Sequence, residues 1–258
     1  MNETPEQAAR RLFANAKNGF EFEVLHEYQH PNGDPWFWRV RFKDPYGQKW
    51  IRPIHLNDVG YDRGEPKFDG LKPLYRLPEL VANPDKPVWF CEGEWCVDHL
   101  AKLNVLSTTS GGSTSDSKAD FAPLAKRNVI IWPDKDKEGL KHAARVADKL
   151  LAVKAKVRVV KIDKLDLPDK GDVVDWLDKH PQATVGDLDK LDTVDYVKAE
   201  VVEAEPVGKS QATHLIELIQ NAELFHDTDD LYYATFNVNG HRETRSTHSK
   251  GFHKWLCW

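Results

Sequence analysis

The sequence predicts an α/β protein in which a mostly parallel sheet flanked by helices is preceded by a small antiparallel α+β subdomain. Two short apolar runs, Val88–Cys91 and Val129–Trp132, lack alternation and suit strands that are buried on both faces of a parallel sheet. Strand-like and helix-like segments alternate around these runs, which is typical of such a sheet. Earlier in the chain, turn signals separate alternating runs, which indicates an antiparallel meander.

The first subdomain, residues 1–80, should begin with a helix. Thr4-Pro5-Glu6-Gln7 has the pattern of a capping box with proline at the first helical position. This helix should run to about Ala16 and end at Asn18-Gly19. The meander follows, with turn signals at residues 31–33 and 45–47. Its three predicted strands are Glu21–Gln29, Pro35–Lys43 and Gln48–Leu56.

The second of these strands has two different faces, because side chains alternate along a strand. The apolar face, which should be core, carries Trp36, Trp38, Val40 and Phe42. The opposite face carries Phe37 and a basic strip formed by Arg39, Arg41 and Lys43. This basic strip is either a solvated sheet face or a surface that binds the phosphates of a template or nucleotide. Possible additions to such a surface are Lys49, Arg52 and Arg76.

A short helix from Leu77 leads into the parallel sheet, which residues 81–192 should form. The predicted strands are Pro87–Cys91, Val105–Thr109, Asn128–Trp132 and Lys156–Lys161. The predicted helices are Glu94–Leu103, Lys137 to about Leu151, Val173–His180 and Val185–Leu191.

Two of these strands end in acidic residues. Glu92 follows the first, and Asp134 and Asp136 follow the third. Ligands of open parallel sheets bind beyond the carboxyl ends of the strands, and residues i and i+2 of an extended chain point the same way. The three carboxylates should therefore meet at one sheet edge. Hard oxygen ligands of this kind suit a divalent cation such as Mg²⁺ or Mn²⁺.

The motifs at these strand ends carry a family resemblance. Cys91-Glu-Gly-Glu94, Thr108-Thr-Ser-Gly-Gly112 and Asp134-Lys-Asp136 resemble the Toprim domain of bacterial-type primases, type IA and II topoisomerases and OLD-family nucleases. The sequences of these motifs are most similar to those of primase-helicases of phages and other mobile elements. The resemblance covers roughly Leu74 to Leu191. It implies metal-dependent nucleotide addition, with Glu92, Asp134 and Asp136 as the catalytic and metal-binding residues.

Several other residues have two possible roles. Asp172 is either a helix N-cap or a further metal ligand. Lys135 and Lys137 lie next to the acidic residues, where they could meet a triphosphate. A small-residue loop offers either a nest for phosphate or an ordinary flexible turn. The loop residues are Ser110, Gly111 and Gly112.

The composition changes after residue 192. Residues 193–211 lack periodicity and read as a linker. Residues 212–258 should start a C-terminal region that contains a helix at Thr213–Ala222, a hairpin around Asn239-Gly240 and a final helix from Ser249. The strands of the hairpin are Leu231–Asn237 and His241–Ser246. Because the final helix has no C-cap, we expect the given sequence to stop inside this helix, before a further domain. The resemblance implies that this downstream domain is a helicase.

Composition limits the class of protein. A net charge of −5 over 258 residues excludes a basic protein that coats nucleic acid, so any such contact must be a local patch. Three cysteines without a paired spacing indicate neither disulfides nor a zinc ribbon, and they favour a reducing cytoplasm. No signal peptide or long apolar segment occurs, so no membrane partner is expected.

The leading functional hypothesis is primer synthesis from NTPs on single-stranded DNA, by a nucleotidyltransferase module of a DNA replication primase-helicase. One alternative is a metal-dependent nuclease with a similar acidic cluster. The other is a non-catalytic DNA-binding or loading module for a downstream helicase. The basic meander before the Toprim-like segment favours the first hypothesis over the second.

Overall fold

A computed structural model describes residues 3–15, 19–112, 114–197, 222–226, 231–238, 240–250 and 252. The chain divides into two compact units, Met1–Lys198 and Ala199–Trp258. The predicted α/β class is confirmed, since a mostly parallel sheet covered by helices occurs together with antiparallel sheets.

The first unit begins with helix α1, Pro5–Phe13, followed by an antiparallel sheet. Both hydrogen bonds of the predicted capping box form between Thr4 and Gln7. The helix ends earlier than predicted, at Phe13, and residues 16–18 lie outside the described part of the chain. The sheet strands are β1 Glu21–Gln29, β2 Pro35–Lys43, β3 Lys49–Asn57 and β4 Gly60–Arg63. Strand β4 was not predicted because it is a short edge strand.

Both faces of β2 are largely buried from Phe37 to Phe42, which contradicts the solvated-face alternative for Arg39 and Arg41 but not for the exposed Lys43. Trp38, Val40 and Phe42 pack with α1 as expected. On the opposite face, Phe37 belongs to the core of the parallel sheet, and Arg41 is only 5% exposed. The alternation within β2 also fails at its start. A register shift in β1 lies opposite this part of β2, and Trp36 packs against the core of the parallel sheet, as Phe37 does.

The parallel sheet has the strand order β6-β5-β7-β8-β9. Its strands are β5 Val88–Phe90, β6 Ser107–Thr108, β7 Asn128–Ile131, β8 Lys156–Val160 and β9 Thr193–Asp195. Strands β5 to β8 are parallel, and β9 pairs antiparallel with β8. The linker prediction is therefore wrong for residues 193–195, because an edge strand this short has no periodicity to reveal it.

Helices cover both faces of this sheet. One core joins Trp89 and Ile130 of the sheet to helix α3, Glu94–Lys102, and helix α5, Val173–Lys179. The other core joins the alternate strand residues, such as Phe90, to the apolar face of helix α4. The remaining bounds are α2 Leu77–Ala82, α4 Lys137–Ala152 and α6 Val185–Asp189.

The second unit contains a three-stranded antiparallel sheet of β10 Glu223–His226, β11 Tyr232–Val238 and β12 His241–Ser246. The predicted hairpin is confirmed as β11 and β12, and β10 adds a strand that was not predicted. Ala234, Phe236 and Phe252 form its small core. The predicted helix at 213–222 and most of the final helix lie outside the described residues. Among the residues described, no helix has the length and apolar character needed to cross a membrane.

Candidate functional site

The acidic residues lie at the switch point of the parallel sheet. After β5 the chain adds β6 on one side, and β7 then pairs on the other side of β5. Glu92 follows β5 and Asp134 follows β7, so both stand at the carboxyl edge where open α/β sheets bind ligands. With Asp172 they line a cleft of about 170 Å³, here called the acidic cleft. The facing residues from the antiparallel sheet include Arg39, Arg41 and Lys49.

The segment after β7 turns rather than continuing extended. The amide of Asp136 donates to the carbonyl of Asp134 over 2.8 Å, so the two side chains do not share one direction as the extended geometry predicts. Instead, Asp136 caps α4, where its Oδ1 accepts a 2.7 Å hydrogen bond from the Gly139 amide. Asp136 lines a neighbouring groove with Lys137 and does not line the acidic cleft.

A second loop fixes this turn from the other side. The amide of Lys135 donates to the carbonyl of Gly171 over 2.9 Å, and the amide of Lys170 donates back to Lys135 over 3.1 Å. Asp172 follows directly and caps α5, where its Oδ1 accepts from the amides of Val174 and Asp175. The N-cap role of Asp172 is thus confirmed, and the same residue also lines the acidic cleft.

Gly139 allows helix α4 to approach Asp134 closely. A Cβ atom at position 139 would lie 2.5 Å from the Asp134 carbonyl oxygen and 2.8 Å from its Cβ. We expect Gly139→Ala to destabilise the protein by about 1–3 kcal/mol, because backbone must move to admit the methyl group. Urea denaturation measures this change. Gly186→Ala is the matched control, since its new Cβ would make only an ordinary 3.6 Å contact with Thr184.

Glu92 is held by its main chain, while its carboxylate is half-buried in the cleft. Its carbonyl accepts hydrogen bonds from the Thr109 hydroxyl over 2.8 Å and from the Gly112 amide over 2.9 Å. Its carboxylate lies 3.7 Å from Nδ1 of His142, a buried residue of α4. Burial lowers the pKa of His142, so this ring stays neutral near pH 7 and does not offset the charge of Glu92.

Mutual repulsion dominates the electrostatics of the acidic cleft. Burial raises the pKa of Glu92, and the charges of Asp136 and Asp172 raise it further against the opposing effects of Arg145 and Lys49. The pKa of Asp134 is raised to about 8 by burial and by the charges of Glu92, Asp172 and Asp136. A bound cation would stabilise the ionised form of these carboxylates, because the burial of unpaired charges beside like charges is costly.

The predicted metal-ligand set is not preassembled. Within the described part of the chain, no three acidic, histidine or cysteine side chains are grouped closely enough to hold an ion. The chemistry of the donors nevertheless fits a hard divalent cation, since carboxylate oxygens are what Mg²⁺ and Mn²⁺ prefer. Glu92, Asp134 and Asp172 would have to move toward one another to share it.

Most of the predicted basic residues have acidic or aromatic partners. Arg39 donates to Glu94 over 2.6 Å, and Arg41 contacts Glu23 over 2.5 Å. The guanidinium of Arg41 also lies over the Trp95 ring. The remaining members are held more loosely or lie outside the cleft: Lys43 is 3.7 Å from Glu23, Arg52 lies over Trp50, and Arg76 pairs with Glu79 over 2.8 Å.

Lys49 is the cleft cation whose effect reaches the acidic residues. It lies at the start of β3, is exposed and lines the acidic cleft. Its charge lowers the pKa of both Glu92 and Asp134. The sequence suggested Lys49 only as an addition to the basic strip, because the alternation of β2 says nothing about the next strand.

The loop predicted as a phosphate nest is turned inward. The Gly111 amide donates to the Thr109 hydroxyl over 3.0 Å, and the Gly112 amide donates to Glu92. These two amides therefore do not face a ligand, which removes the physical basis of a nest. The Ser110 hydroxyl is buried and has no hydrogen-bond partner within the part of the chain that the structure describes.

The two lysines after Asp134 are also placed differently from one another. The ammonium group of Lys135 donates to the carbonyls of Leu165 and Leu167, each over 3.0 Å, and is therefore turned away from the acidic cleft. Lys137 is exposed at the first position of α4. Sequence reasoning missed Gly139, although a glycine in the first turn of a helix after two aspartates is a sign of close approach.

Comparisons with known proteins include a likeness to a solved structure. No family model matches the sequence, and no curated protein matches it. The primase fragment of the bacteriophage T7 primase-helicase protein is similar to this chain at 17% sequence identity with a TM-score of 0.37. The match covers 64% of this chain and 61% of that fragment.

Proposed function

We propose that this chain is a Toprim-type nucleotidyltransferase module that makes primers from NTPs on single-stranded DNA in the presence of Mg²⁺ or Mn²⁺. The observation that carries the proposal is the cleft at the carboxyl edge of the parallel sheet, which Glu92, Asp134 and Asp172 line together. Burial and the charges of Glu92, Asp172 and Asp136 raise the pKa of Asp134 to about 8 there. A buried acidic cluster with perturbed pKa values at a ligand-binding edge is typical of a functional site.

The proposed cation site consists of Glu92, Asp134 and Asp172, with Asp136 nearby. A bound divalent cation would neutralise the charge of a transferring phosphoryl group and orient it. Where Glu92 acts as general base for the attacking hydroxyl of a primer, instead of completing the metal shell, its raised pKa brings the carboxylate closer to the working pH. The hydrogen bonds that the Thr109 hydroxyl and the Gly112 amide donate to the Glu92 carbonyl would hold that base in place.

The antiparallel sheet would supply the phosphate-binding side of the site. Lys49 faces the acidic residues from β3 and is exposed, so it is available to a triphosphate. Arg41 lines the same cleft but forms an ion pair with Glu23, so its charge is partly neutralised. Template contacts would come from the exposed residues of this sheet, such as Arg52.

The proposal is tested by primer synthesis on single-stranded DNA with NTPs or dNTPs and Mg²⁺ or Mn²⁺. We expect labelled primers from the wild type and none from Glu92→Ala. Asp58→Ala is the matched control, since Asp58 is an exposed acidic residue outside the cleft and its loss should leave synthesis unchanged. Shortening of an end-labelled DNA strand in place of synthesis would support the nuclease alternative. Metal-dependent DNA binding without either product would support the loading module.

Lys49→Ala should raise the KM for NTP about tenfold, because one cation facing the triphosphate is lost and charge-assisted contacts are worth about 1.5–3 kcal/mol. Steady-state kinetics at several NTP concentrations measures this change. The control is Lys67→Ala, an exposed lysine that does not line the cleft. An unchanged KM for Lys49→Ala would remove this residue from the nucleotide site.

In the proposed assembly, this chain would be the primase part of a larger primase-helicase of a phage or other mobile element, with a helicase domain downstream. Single-stranded DNA delivered by that helicase would be the template. Adding the separate helicase part should then stimulate primer synthesis on long single-stranded DNA. Equal synthesis with and without it would indicate that the module captures DNA by itself.

A further inference from the structure

A buried ion pair joins the antiparallel sheet to the parallel sheet. Arg39 of β2 donates to Oε1 of Glu94, the first residue of α3, over 2.6 Å. The side chains are only 15% and 2% exposed. The Tyr28 hydroxyl donates to the same carboxylate oxygen over 2.7 Å. The two residues are 55 positions apart in sequence, so this contact exists only when the two sheets are packed together.

The same guanidinium nitrogen of Arg39 also donates to the carbonyl of Gly111. Gly111 has a φ of +92°, and a Cβ atom there would lie 2.5 Å from that nitrogen and 2.8 Å from the Tyr28 hydroxyl. Glycine therefore fits this position for two separate reasons, its left-handed backbone and the close approach of Arg39. The Gly111 carbonyl is held by Arg39 on one side and by the Ser115 hydroxyl on the other, over 2.8 Å.

The next residue passes this constraint to the acidic cleft. The Gly112 amide donates to the carbonyl of Glu92 over 2.9 Å, and the Thr109 hydroxyl donates to the same carbonyl over 2.8 Å. Hydrogen bonds thus connect Glu94 to Arg39, Arg39 to Gly111, and Gly112 to the main chain of Glu92, with the Gly111–Gly112 peptide bond as the remaining link. None of these contacts reaches the carboxylates of Glu92, Asp134 or Asp172.

We propose that Arg39 and Glu94 are positioning residues, which hold the Gly111–Gly112 loop and through it the main chain of Glu92. A buried ion pair is weak evidence of stabilisation, because apolar residues of similar volume often serve equally well. Its directional hydrogen bonds, in contrast, fix one arrangement of the two sheets and of the loop between them. The consequence for turnover rests on the proposed function, whereas the consequence for the loop does not.

The test variant is Arg39→Met combined with Glu94→Met in the full chain, so that no buried charge is left unpaired. Hydrogen exchange of the Gly112 amide, followed by NMR, reports the loop directly. We expect exchange at least tenfold faster in the double variant under conditions where both proteins are folded. Where the proposed activity exists, kcat should fall about tenfold with the KM for NTP nearly unchanged. The affinity for Mn²⁺ should fall as well.

Tyr28→Phe is the matched control, because it removes one hydrogen bond from Glu94 but leaves the bond from Arg39 to Gly111. It should leave Gly112 exchange unchanged. If the double variant does not fold, Arg39→Leu combined with Glu94→Gln replaces it, since leucine can donate no hydrogen bond to Gly111 and no charge is left buried. Equal Gly112 exchange in wild type and in the folded variant overturns the proposal. A wild type that neither binds Mn²⁺ nor makes primers overturns the proposed function alone, because the exchange result stands by itself.

Discussion

Asp134→Asn should lower primer synthesis about a thousandfold and should also make the metal-free protein more stable at pH 8. An amide oxygen is a poorer ligand for a hard cation than a carboxylate is. Loss of metal support for a transferring phosphoryl group costs several kcal/mol, which corresponds to about a thousandfold in rate. Primer synthesis and denaturation of the same purified variant measure the two effects.

The gain in stability follows from the raised pKa. The ordinary pKa of an aspartate is 3.8, whereas burial and its acidic neighbours raise the pKa of Asp134 to about 8. Between these values the folded state binds more protons than the unfolded state, so the free energy of unfolding falls as the pH rises. Asparagine has no such proton. We therefore expect the variant to be on the order of 5 kcal/mol more stable at pH 8 and nearly equal to wild type near pH 4.

Urea denaturation in EDTA at four pH values from 4 to 8 tests this dependence. Asp58→Asn is the control, since this exposed residue should give the same difference from wild type at every pH. Added Mg²⁺ should stabilise the wild type and leave Asp134→Asn unaffected, because only the wild type keeps the ligand. A pH-independent difference for Asp134→Asn would contradict the burial of this acid among like charges.

The single variant Arg39→Met should lower the free energy of unfolding by about 3–5 kcal/mol at pH 7, because it leaves a buried carboxylate without its partner. Burial alone raises the pKa of Glu94, but Arg39, His26 and the Tyr28 hydroxyl outweigh it, and the net pKa is lowered. The paired carboxylate therefore stabilises the wild type above its ordinary pKa, and this contribution is lost as the pH falls. The gap between wild type and variant should narrow toward pH 4.

The double variant with Glu94→Met should recover most of this loss, since no charge remains buried. Arg10→Met is the surface control: Arg10 pairs with Glu6 over 2.8 Å, but both side chains are more than half exposed. The free energy of unfolding of the Arg10→Met variant should differ little from that of the wild type, because exposed ion pairs usually contribute little to stability. A double variant as unstable as Arg39→Met would show that the guanidinium stabilises the fold by other contacts.

Elements with strong local signals were predictable from the sequence. Strands β1 and β2 were predicted at their observed bounds, because turn signals with glycine mark both ends of each run. The capping box at Thr4 was predicted for a similar reason, since both of its bonds are local. Strands β4 and β9 were missed because each is a short edge strand, paired on one side only, without a periodic pattern of its own.

The site was predictable in part. Glu92 and Asp134 were expected at the carboxyl edge because each ends a buried strand, and both line the cleft. The direction of Asp136 was not predictable, since a hydrogen bond from its amide to the Asp134 carbonyl turns the chain after Asp134. The partners of the basic strip were equally hidden. Alternation assigns Arg39 to a face of its strand, but it contains no information about Glu94, which lies in another sheet layer.

By itself, the sequence determined the α/β class, most of the strands and helices, and the acidic residues that end two strands. These follow from periodicity, turn chemistry and local capping, which act over a few residues. Only the tertiary structure decided that most of the basic strip is covered, that the small-residue loop supports Glu92, and that Asp134 lies among like charges. Those outcomes depend on packing between segments far apart in the chain, where burial and partner charges, rather than residue type, decide what a side chain does.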